Sequence, residues 1–166
     1  MPLRIAIQST PETLSDMLLA AEDRYREAEK LIVDFEFDGA VYLLGYAAEM
    51  WLKAACLRLQ TQNPLVQVKP SLAPIKNWMK AKANGVPFTD YHDLSFFGEY
   101  LLRFRVDQGR PLAAPLSAEL QSHIIGGLHH EWIVDMRYRR NGLVATDAWA
   151  ALLQAWWMKN NWIHLY

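Results

Sequence analysis

Ala40-Val-Tyr-Leu-Leu-Gly-Tyr-Ala-Ala-Glu49-Met-Trp-Leu-Lys53-Ala54 is the stretch on which the fold turns. From Ala40 to Leu59 the chain is apolar on nearly every face, with Gly45, Ala47, Ala48, Ala54 and Ala55 interspersed. A helix that is apolar all round has neighbours all round, so this one belongs at the centre of a helical protein. Its small residues let those neighbours approach closely. Asp38 is suited to cap it, and the pattern runs to about Gln60. Only Glu49, Lys53 and Arg58 are charged, and Glu49 stands four residues before Lys53, the favourable order for a pair on one helix face.

The flanking sequence supplies the helices that would surround it. Thr10-Pro11 is suited to start one. Leu14, Leu18, Ala21, Tyr25, Ala28, Ile32 and Phe35 then recur at helical spacing, while Asp23, Arg24, Arg26, Glu27 and Lys30 fall off the stripe. The 61–91 connection is punctuated by Pro64, Pro70, Pro74 and Pro87, with a short helix expected from Pro74 to Ala83, stopped by Asn84-Gly85. Its lysines read as a solvated face. Another helix is expected from Asp90 to before Gly109, with Leu94, Phe97, Leu101 and Phe104 inward. A fourth should start at Ser117, carry Leu120, Ile124 and Leu128, and weaken at Gly126-Gly127. The last should start at Thr146, with Asp147 in its first turn. Its stripe of Trp149, Leu153, Trp156, Asn160 and Ile163 is expected in the core or in a helix–helix seam of a dimer. Leu3, Ile5 and Ile7 alternate, which fits an extended arm over 1–9. The expectation is one all-α domain over 1–166, an up-and-down four- to five-helix bundle with a short extra helix in the 61–91 connection.

Composition agrees and sets limits on function. The chain is 52% hydrophobic and 21% charged, with seven Trp and seven Tyr to bury. A net charge of −1 gives no general attraction for nucleic acid, so any phosphate recognition has to come from a local basic cluster. The single cysteine, Cys56, rules out an intrachain disulfide and a multi-cysteine metal site, and its apolar setting suggests an inert thiol. The first residues lack a signal-peptide core and the longest apolar run is too short to span a bilayer, so a soluble cytoplasmic protein without membrane association is expected.

Two stretches carry chemistry. Burying Glu49 or Lys53 unpaired is costly, so the two must pair with each other, pair with a third group, or face an opening. The other stretch is Trp132-Ile-Val-Asp-Met-Arg137-Tyr138-Arg139-Arg140-Asn141. Three guanidiniums so close repel unless an acid or a bound anion lies among them, and arginine suits bidentate contact with phosphate or carboxylate. Glu49 is a plausible partner for one of them; Arg139, Arg140 and Asn141 read as outward contacts. His92 and Asp93, in Tyr91-His-Asp-Leu94, begin a helix and read as structural. His129 and His130 are adjacent and point about 100° apart on a helix, and no His-Glu-x-x-His pattern is present, so no metal is expected. Serine-nucleophile motifs and phosphate-binding glycine loops are absent, and no catalytic residue or cofactor is assigned.

The central stretch resembles the second helix of HEPN domains, an all-α family named for its occurrence in higher eukaryotes and prokaryotes and for nucleotide binding. Tyr91-His92-Asp93-Leu94 is similar to the His-Asp-Leu that opens a later core helix there, and Trp132 to Tyr138 to the Trp…Arg-Tyr segment before the last long helix. The resemblance runs in order over about residues 15–165. It implies a four- to five-helix bundle, often a homodimer, and a setting such as toxin–antitoxin or phage-defence systems. Many members are metal-independent ribonucleases that use an arginine followed a few residues later by a histidine. Here the residues after Arg137, Arg139 and Arg140 include Gly142, Leu143, Val144, Ala145, Thr146 and Asp147, and no histidine. The leading expectation is therefore a non-catalytic HEPN-like module. It would bind a phosphate-bearing ligand, nucleotide or RNA, through Glu49, Lys53, Arg137, Tyr138, Arg139, Arg140 and Asn141. The alternatives are an interaction module that dimerises or partners a minimal nucleotidyltransferase, as the resemblance suggests, and an unorthodox ribonuclease pairing Arg137 with His92 or His129.

Overall fold

The computed structural model describes residues 12–82, 88, 90–132 and 142–166. The expected arm, the Thr10-Pro11 start, the Asn84-Gly85 stop and the arginine-rich residues Arg137 to Asn141 lie outside these residues.

The described chain is an all-α bundle. Its helices are α1 (Leu14–Val33), α2 (Phe37–Arg58), α3 (Val68–Ala81), α4 (Leu94–Asp107) and α5 (Ala114–Leu120). A wider π-helical stretch (Gln121–Leu128) and a last turn, α6 (His129–Glu131), extend α5. The fold ends with α7 (Ala145–Asn161) and a 3₁₀ turn (Trp162–His164). The long helix α2 is central: α1 and α7 pack along it, with α4 also against it. Fourteen of its residues are buried, among them Leu44, Trp51, Leu52 and Leu57. Among the described residues the only β pairing is an isolated bridge between Thr13 and Gln67. No described helix is long and apolar enough to cross a membrane.

Several boundaries differ from the sequence expectation, each for a local reason. Helix α1 is capped by Thr13: its Oγ1 accepts from the Asp16 N–H at 3.2 Å, and Asp16 Oδ2 accepts from the Thr13 N–H at 3.1 Å. Because α1 stops at Val33, Phe35 is off its stripe; it takes a left-handed φ of 62° and is 79% exposed. Helix α2 begins one residue before Asp38, which serves instead as acceptor for the Gly142 N–H at 3.2 Å. Helix α3 begins at Val68, well before Pro74. Pro70 sits in the first turn, where no donor is needed, and only the Pro74 N–H is lost from the ladder. Burial of Val68, Leu72, Ile75 and Met79 outweighs that one bond.

Helix α4 is capped by Asp93, whose Oδ1 accepts from the Phe96 N–H at 2.9 Å, rather than by Asp90. Helix α5 starts at Ala114 with Pro115 in its first turn, ahead of Ser117. Gly126 and Gly127 do not end the rod. A Cβ on Gly127 would come within 2.8 Å of the Ser122 carbonyl and 2.7 Å of Gln154 Nε2, so glycine is what lets the widened helix lie against α7.

The largest difference is in α7. Its inward face is Ala148, Ala151, Ala155, Trp157 and Met158, of which the three alanines allow close packing of neighbouring helices. Trp149, Leu153, Trp156 and Ile163, one of the two placements expected for them being the core, are instead 55%, 64%, 54% and 49% exposed. Both faces of this helix are apolar at helical spacing, and the face with less bulk is the one that fits against α2.

Candidate functional site

Glu49 and Lys53 face the interior of the bundle, with side chains 4% and 8% exposed. They are ion-paired through Lys53 Nζ and Glu49 Oε1, one turn apart on α2. The ammonium also lies over the Phe97 ring, 5.3 Å from its centroid, so α4 covers it with an electron-rich face.

The other carboxylate oxygen turns to His92. Its Nδ1 donates to Glu49 Oε2 at 2.9 Å, across 43 positions of sequence. Two features hold the imidazole there. The His92 N–H donates to Asp90 Oδ1 at 2.6 Å, and Asp93 begins α4 immediately after. The hydrogen bond to Glu49 raises the pKa of His92 above its ordinary value; partial burial and Lys53 pull the other way, and Asp90 adds to the rise. The His92 side chain is 40% exposed, so the ring's outer edge meets solvent while its inner nitrogen is anchored in the core. With His92 protonated, the trio holds one negative and two positive groups and carries a net charge of +1.

An aromatic wall adjoins this trio. Tyr46 meets His92 edge to face at 5.8 Å between centroids, Trp132 at 5.3 Å and Tyr42 at 4.8 Å. Trp132 is 2% exposed and its Nε1 donates to the Tyr42 carbonyl at 3.1 Å. Its ring lies directly on Gly45: a Cβ there would sit 2.1 Å from the indole. On the other flank, His129 Nδ1 is 3.7 Å from Asp93 Oδ1. The residue before the arginine-rich segment, Trp132, and the residue after it, Gly142, are thus both tied to the first turns of α2.

Of the residues assigned from sequence, the structure brings Glu49 and Lys53 together and adds His92 to them. Arg137, Tyr138, Arg139, Arg140 and Asn141 lie outside the described residues. The structural role expected for Asp93 is seen in its cap; His92 goes further, as the exposed member of a buried charge network. Sequence reasoning missed that link because the partners are far apart in the chain. The available signal was a carboxylate on an apolar helix with a second oxygen left to satisfy beyond Lys53, and histidine was not weighed for that place. Among the described residues no three His, Cys, Asp or Glu side chains are grouped to hold a metal ion. Chemically, the arrangement offers an oriented imidazole that can donate to an oxyanion or exchange a proton. No family model, curated protein or solved structure matches the chain.

Proposed function

We propose that this chain is a HEPN-like helical module that binds a phosphate-bearing ligand, nucleotide or RNA, at the His92 face of the bundle, in a setting such as toxin–antitoxin or phage defence. The observation that carries the reading is the Glu49–His92 hydrogen bond, which favours the protonated form of a partly exposed imidazole beside a buried ion pair. The aromatic edges of Tyr46 and Tyr42 adjoin it, and the residues on both sides of the Arg137–Arg140 segment are fixed to the same helix. His92 supplies one charge-assisted donor and the arginines the rest.

Calorimetric titration with a short RNA tests this, because its phosphodiesters do not titrate near neutrality. His92→Ala and the pair Arg137→Ala with Arg140→Ala should each weaken binding by about tenfold or more, the worth of a charged hydrogen bond. The groups facing His92 are Glu49 and Lys53 from α2 and Asp90 beside it, with the Asp93–His129 pair on the next element. Since Glu49 raises the His92 pKa, binding should be strongest below that pKa and weaken as pH rises through it. No binding to RNA or nucleotides, or binding indifferent to all these substitutions, would dispose of the reading. Assaying the same RNA for cleavage separates a binder from a ribonuclease, whose activity should vanish with His92→Ala or His129→Ala.

A second reading is favoured by one observation, the exposed apolar face of α7. Trp149, Leu153, Trp156 and Ile163 would then join two copies of the chain. Light scattering during size-exclusion chromatography distinguishes dimer from monomer directly.

A further inference from the structure

A second cluster of positive charge lies away from His92, where α2 and α4 end. Arg58 is in the last turn of α2 and Arg105 in the last turn of α4. Arg110 is brought back beside them by the way α4 terminates. Gly109 takes a left-handed φ of 69°, and the Arg110 N–H returns to the Arg105 carbonyl at 2.8 Å, the hydrogen bond of a Schellman turn. All three arginines line one cavity of about 600 Å³, together with Gln62, Phe104 and Tyr166. Arg58 lies nine residues beyond Glu49 on the same helix, roughly 13 Å along its axis, so this cavity is separate from the His92 face.

The arginines are under-satisfied. Arg58 donates to the Gln62 carbonyl at 2.6 Å and Arg105 to the Leu165 carbonyl at 3.4 Å. The Nε of each is buried without an acceptor. Among the described residues no carboxylate is ion-paired with Arg58, Arg105 or Arg110. Two helix C-termini supply roughly half a negative charge each. Set against three full positive charges, that leaves the cluster net positive. A phosphate monoester carries about −1.5 to −2 and several strong acceptor oxygens, which suits a cluster of arginines that no carboxylate side chain pairs. The cavity is larger than an inorganic ion needs, and part of its wall is aromatic.

We propose that Arg58, Arg105 and Arg110 form a second anion site that takes a small organic phosphate of mononucleotide size. Its phosphate lies on the guanidiniums and its organic part against Phe104 and Tyr166. Calorimetry of the full chain at fixed ionic strength, with adenosine monophosphate, inorganic phosphate and adenosine as probes, tests it. The monophosphate should bind at least about tenfold more tightly than inorganic phosphate, and adenosine should not bind measurably. Arg110→Gln should weaken the monophosphate about tenfold; Arg110 is exposed, so the fold survives the change. Arg58→Gln combined with it should abolish saturation. No saturable binding of any probe, or equal binding of phosphate and monophosphate, overturns the proposal. So does monophosphate binding that His92→Ala removes and Arg110→Gln does not, which would assign the ligand to the His92 face.

Discussion

At the scale of single residues, the energetics centre on Glu49. It is buried with both oxygens engaged, so Glu49→Ala strands a buried ammonium and removes the anchor of His92. The expected loss is about 3–5 kcal/mol in chemical denaturation. Lys53→Met should cost less, because the methionine keeps most of the volume and Glu49 retains its hydrogen bond to His92. It should also move the His92 pKa further up, since Lys53 opposes that proton, whereas Glu49→Gln should lower it. Both shifts are readable by NMR titration of the imidazole, and a His92 pKa indifferent to Glu49→Gln would break the link between them. The sign for stability follows. His92 has its pKa raised by folding, so its contribution is complete below the unfolded value near 6.5 and is lost as pH rises through the folded value. Cys56 gives an independent check on the core. It is fully buried, burial pushes its thiol pKa well up, and its Sγ lies 3.5 Å from the Phe97 carbonyl. It should react with a thiol reagent only at the rate of global unfolding.

At the scale of elements, what could be read in advance was the kind of each segment and, except in α7, its inward stripe; what could not was where it begins. The centrality of α2 follows from its all-round apolarity, a property of one stretch taken alone. The start of α3 does not. It depends on hydrogen bonds from Val68 to the Glu12 carbonyl and from Leu14 to the Val66 carbonyl, which join segments far apart in the chain. The same holds for α7, where two apolar stripes compete and only the space against α2 selects the one rich in alanine. Gly45 is a sharper instance. Its value as a small residue on a central helix is legible, but its partner Trp132 is not. With the indole where a Cβ would be, Gly45→Ala must displace the ring, at a cost of about 1–3 kcal/mol for an overpacked core. The Trp132–Tyr42 hydrogen bond should go with it, loosening the chain where it enters the arginine-rich segment. If that segment shares in ligand binding, Gly45→Ala should weaken RNA binding without touching a ligand contact; unaltered stability and binding together would show that the ring has room to move.

On the scale of the whole molecule, the decisive feature is that α7 and the turn after it carry an apolar side left exposed. Trp149, Leu153, Trp156 and Ile163 are each about half exposed or more, and with Asn160 they follow the alternating spacing of four and three residues that makes a helix–helix seam. Their exposed area is on the order of 450 Å², within the range of the largest apolar patch on an ordinary monomer, which is often functional. Two copies meeting face to face would bury on the order of 900 Å², just below the range of specific interfaces before any neighbouring residues are added. Buried area of this size does not by itself set an affinity, so the mass in solution decides whether a second copy occupies the face. In such a seam Asn160 would restrict the register. Trp156→Glu places a charge in the middle of that face and should convert a dimer to a folded monomer in light scattering. Leu65→Glu changes an equally exposed apolar residue elsewhere and should leave the mass unchanged. A wild-type protein that stays monomeric at tens of micromolar would remove the reason for assigning this face to a second copy, while leaving the His92 and arginine sites to be judged on their own tests.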